Sequence, residues 1–152
     1  MNRPEKGERR FVVDTNVFVA AVKPFSKPTR DVRKDTKTLN LLVKLITDER
    51  LEIIGNSRLV AEYSRLAEEL DSKTSRLILQ QLAAKMETIE VSEEASGRCR
   101  PYLPKRESAD VIHAATCLQA KAILITNDAD FDRIKKAGVI EVWSISEAIR
   151  RM

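Results

Sequence analysis

The run Phe11-Val12-Val13 goes straight into Asp14, and this abrupt change of character constrains the fold more than any other feature of the chain. Three aromatic or β-branched residues without polar alternation read as a strand buried on both faces. Such strands belong to parallel sheets covered by helices on each side. An acid directly after the strand lies at its carboxyl end, where open parallel sheets carry their function. A second run, Ala122-Ile123-Leu124-Ile125-Thr126, is the clearest strand in the chain and leads into Asn127-Asp128.

The rest of the chain alternates in the same way. Residues 15–22 read as a short helix or turn, and 23–37 as a polar loop with two prolines. Leu39, Leu42, Val43, Leu45 and Ile46 make a helical stripe over 38–48. Leu51, Ile53 and Ile54 form a short strand, and Gly55-Asn56-Ser57 supplies a turn and a helix N-cap. The helix over 57–70 turns Leu59, Tyr63, Leu66 and Leu70 inward, and the next one turns Leu77, Ile78, Leu82 and Met86 inward. A strand is expected over 88–91 and irregular chain over 92–106, where Pro101 and Pro104 stand. Ser108 opens a helix to about residue 120, and Gly138 closes a short helix after Asp130. The last strand is expected over 139–143, and Ser144 with Glu147 fits a capping box for a terminal helix. This order predicts a single α/β domain over 11–152, with its parallel sheet covered on both faces, behind a charged arm over 1–10.

Composition narrows the chemistry. With 152 residues, the chain is one domain by length. No apolar run reaches the length needed to span a bilayer, and the charged start MNRPEKGERR lacks a signal-peptide core, so a cytoplasmic protein without membrane contact is expected. Cys99 and Cys117 form no CxxC pair. A single histidine, His113, argues against a His-based metal site and leaves a Ser-His-Asp triad one histidine to rest on. His113 faces a run of alanines and reads as a core or interface residue, and Cys117 and Trp143 as core. The net charge of +4 favours an anionic partner.

If the strands ending at Asp14 and Asp128 are neighbours, their carboxylates converge. Glu62, early in the helix after the second strand, and Asp110, in the first turn of the helix before the fourth, can join them. Each has an ordinary alternative: strand-end turn chemistry for Asp14 and Asp128, macrodipole complementation for Asp110, an exposed helix position for Glu62. Asp130 either shares the role of Asp128 or caps the short helix. Asn16 and Thr126 either orient the carboxylates or make local hydrogen bonds. Glu107 reads as a solvated acid.

At these positions the chain resembles the PIN domain family of metal-dependent ribonucleases, which includes VapC-type toxins. The matching pieces are Val13-Asp14-Thr15-Asn16, Ala61-Glu62, Ala109-Asp110-Val111-Ile112-His113-Ala114-Ala115 and Thr126-Asn127-Asp128-Ala129-Asp130-Phe131. The resemblance implies a three-layer α/β/α sandwich with a central parallel sheet. It implies that Asp14, Glu62, Asp110 and Asp128, with Asp130 as a further ligand, hold Mg²⁺ or Mn²⁺ and hydrolyse RNA. It also implies a homodimer, and an antitoxin protein as partner if the chain is a toxin. Carboxylates without thiol or imidazole suit Mg²⁺ or Mn²⁺ and disfavour zinc. The basic segments on either side of the site offer RNA contacts through Lys23, Lys27, Arg30, Arg33, Lys34, Arg100 and Arg106, and Tyr102 is placed to stack on a base. The long basic loop departs from a short toxin and fits a stand-alone RNA-processing nuclease equally well. A non-catalytic RNA-binding or scaffold module of the same fold is the competing reading. A receiver or haloacid-type phosphatase fits less well, because Asp14 is followed by Thr15-Asn16 rather than Asp-x-Asp.

Overall fold

The computed structural model describes residues 9–26, 36–104 and 108–152. Lys27, Arg30, Arg33, Lys34, Arg106, Glu107 and most of the expected N-terminal arm lie outside the described residues. Five strands, β1 (Arg9–Val13), β2 (Leu51–Gly55), β3 (Met86–Thr88), β4 (Ile123–Ile125) and β5 (Glu141–Trp143), pair in the order β3-β2-β1-β4-β5. Every pair is parallel, with Phe11 opposite Ile53 on one side and Ile123 on the other. The expected α/β/α sandwich is therefore present, with β1 at its centre. Phe11, Val12 and Val13 are fully buried, as a strand covered on both faces requires.

The described helices are α1 (Thr15–Val22), α2 (Lys37–Thr47), α3 (Ser57–Leu70), α4 (Lys73–Lys85), α5 (Glu93–Cys99), α6 (Ala109–Ala120), α7 (Asp132–Ala137) and α8 (Ile145–Arg151). Helix α6 packs across β1, β2 and β4, with α5 against it, while α2 and α4 pack on β2 and α8 on β5. Small side chains let α6 approach the sheet, since Ala114, Ala115 and Cys117 are all buried. Side chains at the N-caps fix where most of the helices begin. Asp14, Asn56, Ser72, Ser92 and Ser144 each accept a backbone N–H from the first turn that follows. Ser108 takes the N-cap position of α6 without a side-chain cap bond. Glycine closes α7, with Gly138 at φ 72°, but Asp71 and Lys121 enter the left-handed region with full side chains.

Four expectations are corrected. The third strand is Met86–Thr88, earlier than 88–91, because its register is set by pairing with Ile53–Gly55 rather than by the apolar Ile89 and Val91. Residues 93–99 form a helix within the stretch expected to be irregular, and Arg100–Tyr102 add one 3-10 turn. Leu77 is 56% exposed, because Ser75, Ile78 and Leu82 make the inward stripe of α4 and Leu77 falls outside it. Val43 is likewise exposed, while Leu41, Leu42 and Leu45 carry the buried face of α2.

Candidate active site

The strand order reverses direction between β1 and β4, so the crevice beyond their carboxyl ends is the switch point of the sheet. Asp14 and Asp128 meet there. Asp14 is buried, and each of its carboxylate oxygens is held. Oδ1 accepts the backbone N–H of Thr15 at 2.8 Å. Oδ2 accepts the Thr126 hydroxyl at 2.7 Å and the Asn16 amide at 3.2 Å. Thr126 Oγ1 also accepts the Asn16 amide at 3.1 Å and the backbone N–H of Asp128 at 3.0 Å. Asn16 and Thr126 thus orient the carboxylate and tie β1 to the loop after β4, while Asn16 Oδ1 takes the N–H of Asn127. Asp128 itself accepts the N–H of Asp130 at 2.9 Å and so turns the chain into a 3-10 turn, Ala129–Phe131.

Oxygens of Asp110, Asp128 and Asp130 all lie within 4.8 Å of one another. Asp14 and Glu62 stand outside that tight group, but electrostatics joins Asp14 to it. Burial, then the charges of Asp14 and Asp128, push the Asp110 carboxyl up to about 6. Burial also raises the Asp14 carboxyl, against the pull of the Thr126 hydroxyl and of His113. Like charges this close are costly when ionised, and a divalent cation relieves the cost. The tight group offers only carboxylate oxygens, half-buried and convergent, which is the donor set Mg²⁺ or Mn²⁺ takes.

Glu62 comes from α3 and is held from two sides. Its Oε1 lies 3.0 Å from His113 Nε2, a contact that draws its carboxyl below the usual range against partial burial. The neighbouring Tyr63 donates its buried hydroxyl to the carbonyl of Val13, immediately before Asp14. The far side of the His113 ring meets Asn56, whose amide also donates to Thr116 Oγ1 at 2.9 Å. His113 is buried, as the reading of it as a core or interface residue expects, and it also contacts a site acid. The signal for that contact was its spacing: it follows Asp110 by three positions, which puts both on one face of α6.

The described basic residues lie further out. Lys23 is exposed in a 3-10 turn after α1, and Arg100 pairs with Glu93 at 3.3 Å. Tyr102 is half-buried against the core rather than displayed for stacking, since its 3-10 turn continues α5. Among the described residues, no helix is long and apolar enough to cross a membrane.

The comparisons with known proteins bear on the same arrangement. No curated protein matches the chain in sequence. Among solved structures, the chain is similar to VapBC2 from Rickettsia felis bound to a DNA fragment from their promoter, with 20% identity over 89% of this chain and 98% of that one, at a TM-score of 0.57. It is similar to VapBC-1 from nontypeable Haemophilus influenzae, with 18% identity over 90% and 98%, at 0.58. It is also similar to FitAcB from Neisseria gonorrhoeae, with 17% identity over 90% and 98%, at 0.54. At these identities the likeness is one of fold. The family model for the PIN domain matches residues 11–137, a span that runs from the central strand through Asp14, Glu62, Asp110, Asp128 and Asp130, and the chain belongs to the PIN domain family.

Proposed function

We propose that this protein is a divalent-metal-dependent endoribonuclease, a VapC-like toxin paired with an antitoxin protein. The observation that carries the reading is the convergence of Asp110, Asp128 and Asp130 beside the buried Asp14 at the switch point. Asp110, Asp128 and Asp130 would hold Mg²⁺ or Mn²⁺, with Asp14 next to them and Glu62 on the flank. A bound ion of this kind supplies an acidified water and a clamp on phosphoryl oxygens. The chain's own residues do the remainder. Thr126, Asn16 and the Thr15 N–H hold Asp14 in one orientation, so its carboxylate would face a bound ion without rearrangement. The hydrogen bond from Asp130 N–H holds Asp128 Oδ1 in the same way. The net charge of +4 favours an anionic substrate such as an RNA backbone, although Lys23 lies beyond the end of α1 and Arg100 is paired with Glu93. The similarity in fold to the VapBC and FitAcB structures supports the antitoxin partner. The family membership supports RNA as substrate and a homodimer as the working form.

The test is cleavage of a labelled structured RNA with Mg²⁺, with Mn²⁺ and with EDTA, comparing wild type and Asp128→Asn. Metal-dependent cleavage that falls by at least about 100-fold in the variant is the expected result, since even indirect ligand partners cost 10–100-fold. RNA that is bound and left intact by the metal-loaded wild type would instead favour the non-catalytic module.

A further inference from the structure

The amide of Asn56 has only one usable orientation. Its Oδ1 accepts the backbone N–H of Leu59 at 2.8 Å as the N-cap of α3, so its Nδ2 must face the other way. There it donates to Thr116 Oγ1, whose own hydroxyl donates to the carbonyl of Ile112 at 2.7 Å. The remaining Nδ2 proton points at His113 Nδ1, 3.2 Å away. A ring nitrogen that faces an amide N–H accepts, which leaves the imidazole proton on Nε2. That proton is aimed at Glu62 Oε1. His113 is buried, and both of its nitrogens are committed.

We propose that His113 is a positioning residue for Glu62: Asn56 locks the ring as the Nε2–H tautomer, and the ring's N–H ties Oε1 so that the carboxylate is held in one orientation toward a divalent ion. The proposal rests on the nuclease reading above and assigns His113 and Asn56 a role in that site. Among the described residues the imidazole is the one hydrogen-bond partner of the Glu62 carboxylate, with Arg58 and Arg65 acting on it through charge only. The ring is well placed to orient that carboxylate. It lies one turn after Asp110 on α6, while Tyr63, next to Glu62, is bonded to the carbonyl preceding Asp14. Partners that orient a metal-binding carboxylate act through the ion's affinity and need no contact with substrate.

Two readouts on the full-length untagged protein test this. Because the chain has a single histidine, a nitrogen-labelled imidazole NMR spectrum reports one ring. The Nε2–H tautomer is expected, and an Nδ1–H ring in the wild type overturns the proposal. Mg²⁺ binding is then measured by calorimetry in wild type, His113→Leu, His113→Asn and His113→Gln, each confirmed folded by circular dichroism. Gln places an amide N–H near the position of Nε2, whereas Asn places one near Nδ1. Leu and Asn are expected to weaken Mg²⁺ binding by about 10- to 100-fold, and Gln by less than about 10-fold. Equal affinity in folded Leu and wild type, or Gln as weak as Leu, overturns the positioning role. A wild type that takes up no Mg²⁺ overturns the nuclease reading and this proposal together, whereas uptake without any difference among the variants overturns this proposal alone.

Discussion

Tyr63 shows how much of the site's geometry hangs on single groups outside it. Its hydroxyl is buried and satisfies the carbonyl of Val13, the last residue of β1. Replacing it with Phe keeps the ring, which packs against Phe18 with centroids 5.4 Å apart, but strands a buried acceptor. We expect Tyr63→Phe to lower stability by about 1–3 kcal/mol in urea unfolding. Nuclease activity should fall as well, because Glu62 loses its anchor to the strand that carries Asp14. At this scale the acids that end strands, and Asn16 and Thr126 beside them, were legible, whereas the contacts of His113 and Asn56 were not. Asp14 and Asp128 announce themselves by ending apolar strands. Asn56 looks like an ordinary helix cap, and it is one, so its second hydrogen bond to His113 leaves no trace in local sequence. Such partners lie 57 positions apart and become visible only when α3 and α6 are brought together.

Helix and strand boundaries followed the same division between local and distant causes. The buried strands β1, β2 and β4 were legible because unbroken apolar runs have few other uses. Strand β3 was misplaced because it is an edge strand, with Glu87 and Thr88 exposed, and its pairing partner decides its position. Helix α5 escaped notice because Ala95, Ser96 and Cys99, its buried residues, are too small and mild to make an apolar stripe, and Gly97 interrupts it. The helix ends offer a clean test of backbone cost. Lys121 closes α6 at φ 56°, a conformation that disfavours any side chain with a Cβ. Lys121→Gly should therefore raise stability by about 1 kcal/mol, and Gly138→Ala, at φ 72° in open space, should lower it by about 1–2 kcal/mol. Paired thermal melts of the two variants would check both signs.

For the molecule as a whole, the acidic crevice links stability to pH and metal. The folded pKa of Asp110 is raised to about 6 from a usual carboxylate value of 3.8. Between those values the folded state holds a proton that the unfolded state has lost, so stability of the metal-free protein falls as pH rises through about 6. A divalent cation held by the ionised acids, as proposed above, would oppose this trend. Melting temperatures measured across pH 4 to 8 should show a Mg²⁺ increase that is small at the acid end, grows as pH rises through about 6 and then levels off. A Mg²⁺ shift that is the same at every pH would mean that the ion binds away from Asp110.

The central position of β1 also sets a timetable. The first strand made lies between β2 and β4, and Asp14 is completed only by the Thr126 hydroxyl, 112 positions later. During synthesis the early segment can fold against β2 and α3, but its acid stays without the partners from the far end of the chain. An emerging polypeptide therefore carries half a site until residues through Asp130 have left the ribosome. On the nuclease reading proposed above, topology withholds the site until that part of the chain has emerged, and a binding partner would have an activity to restrain only from then on.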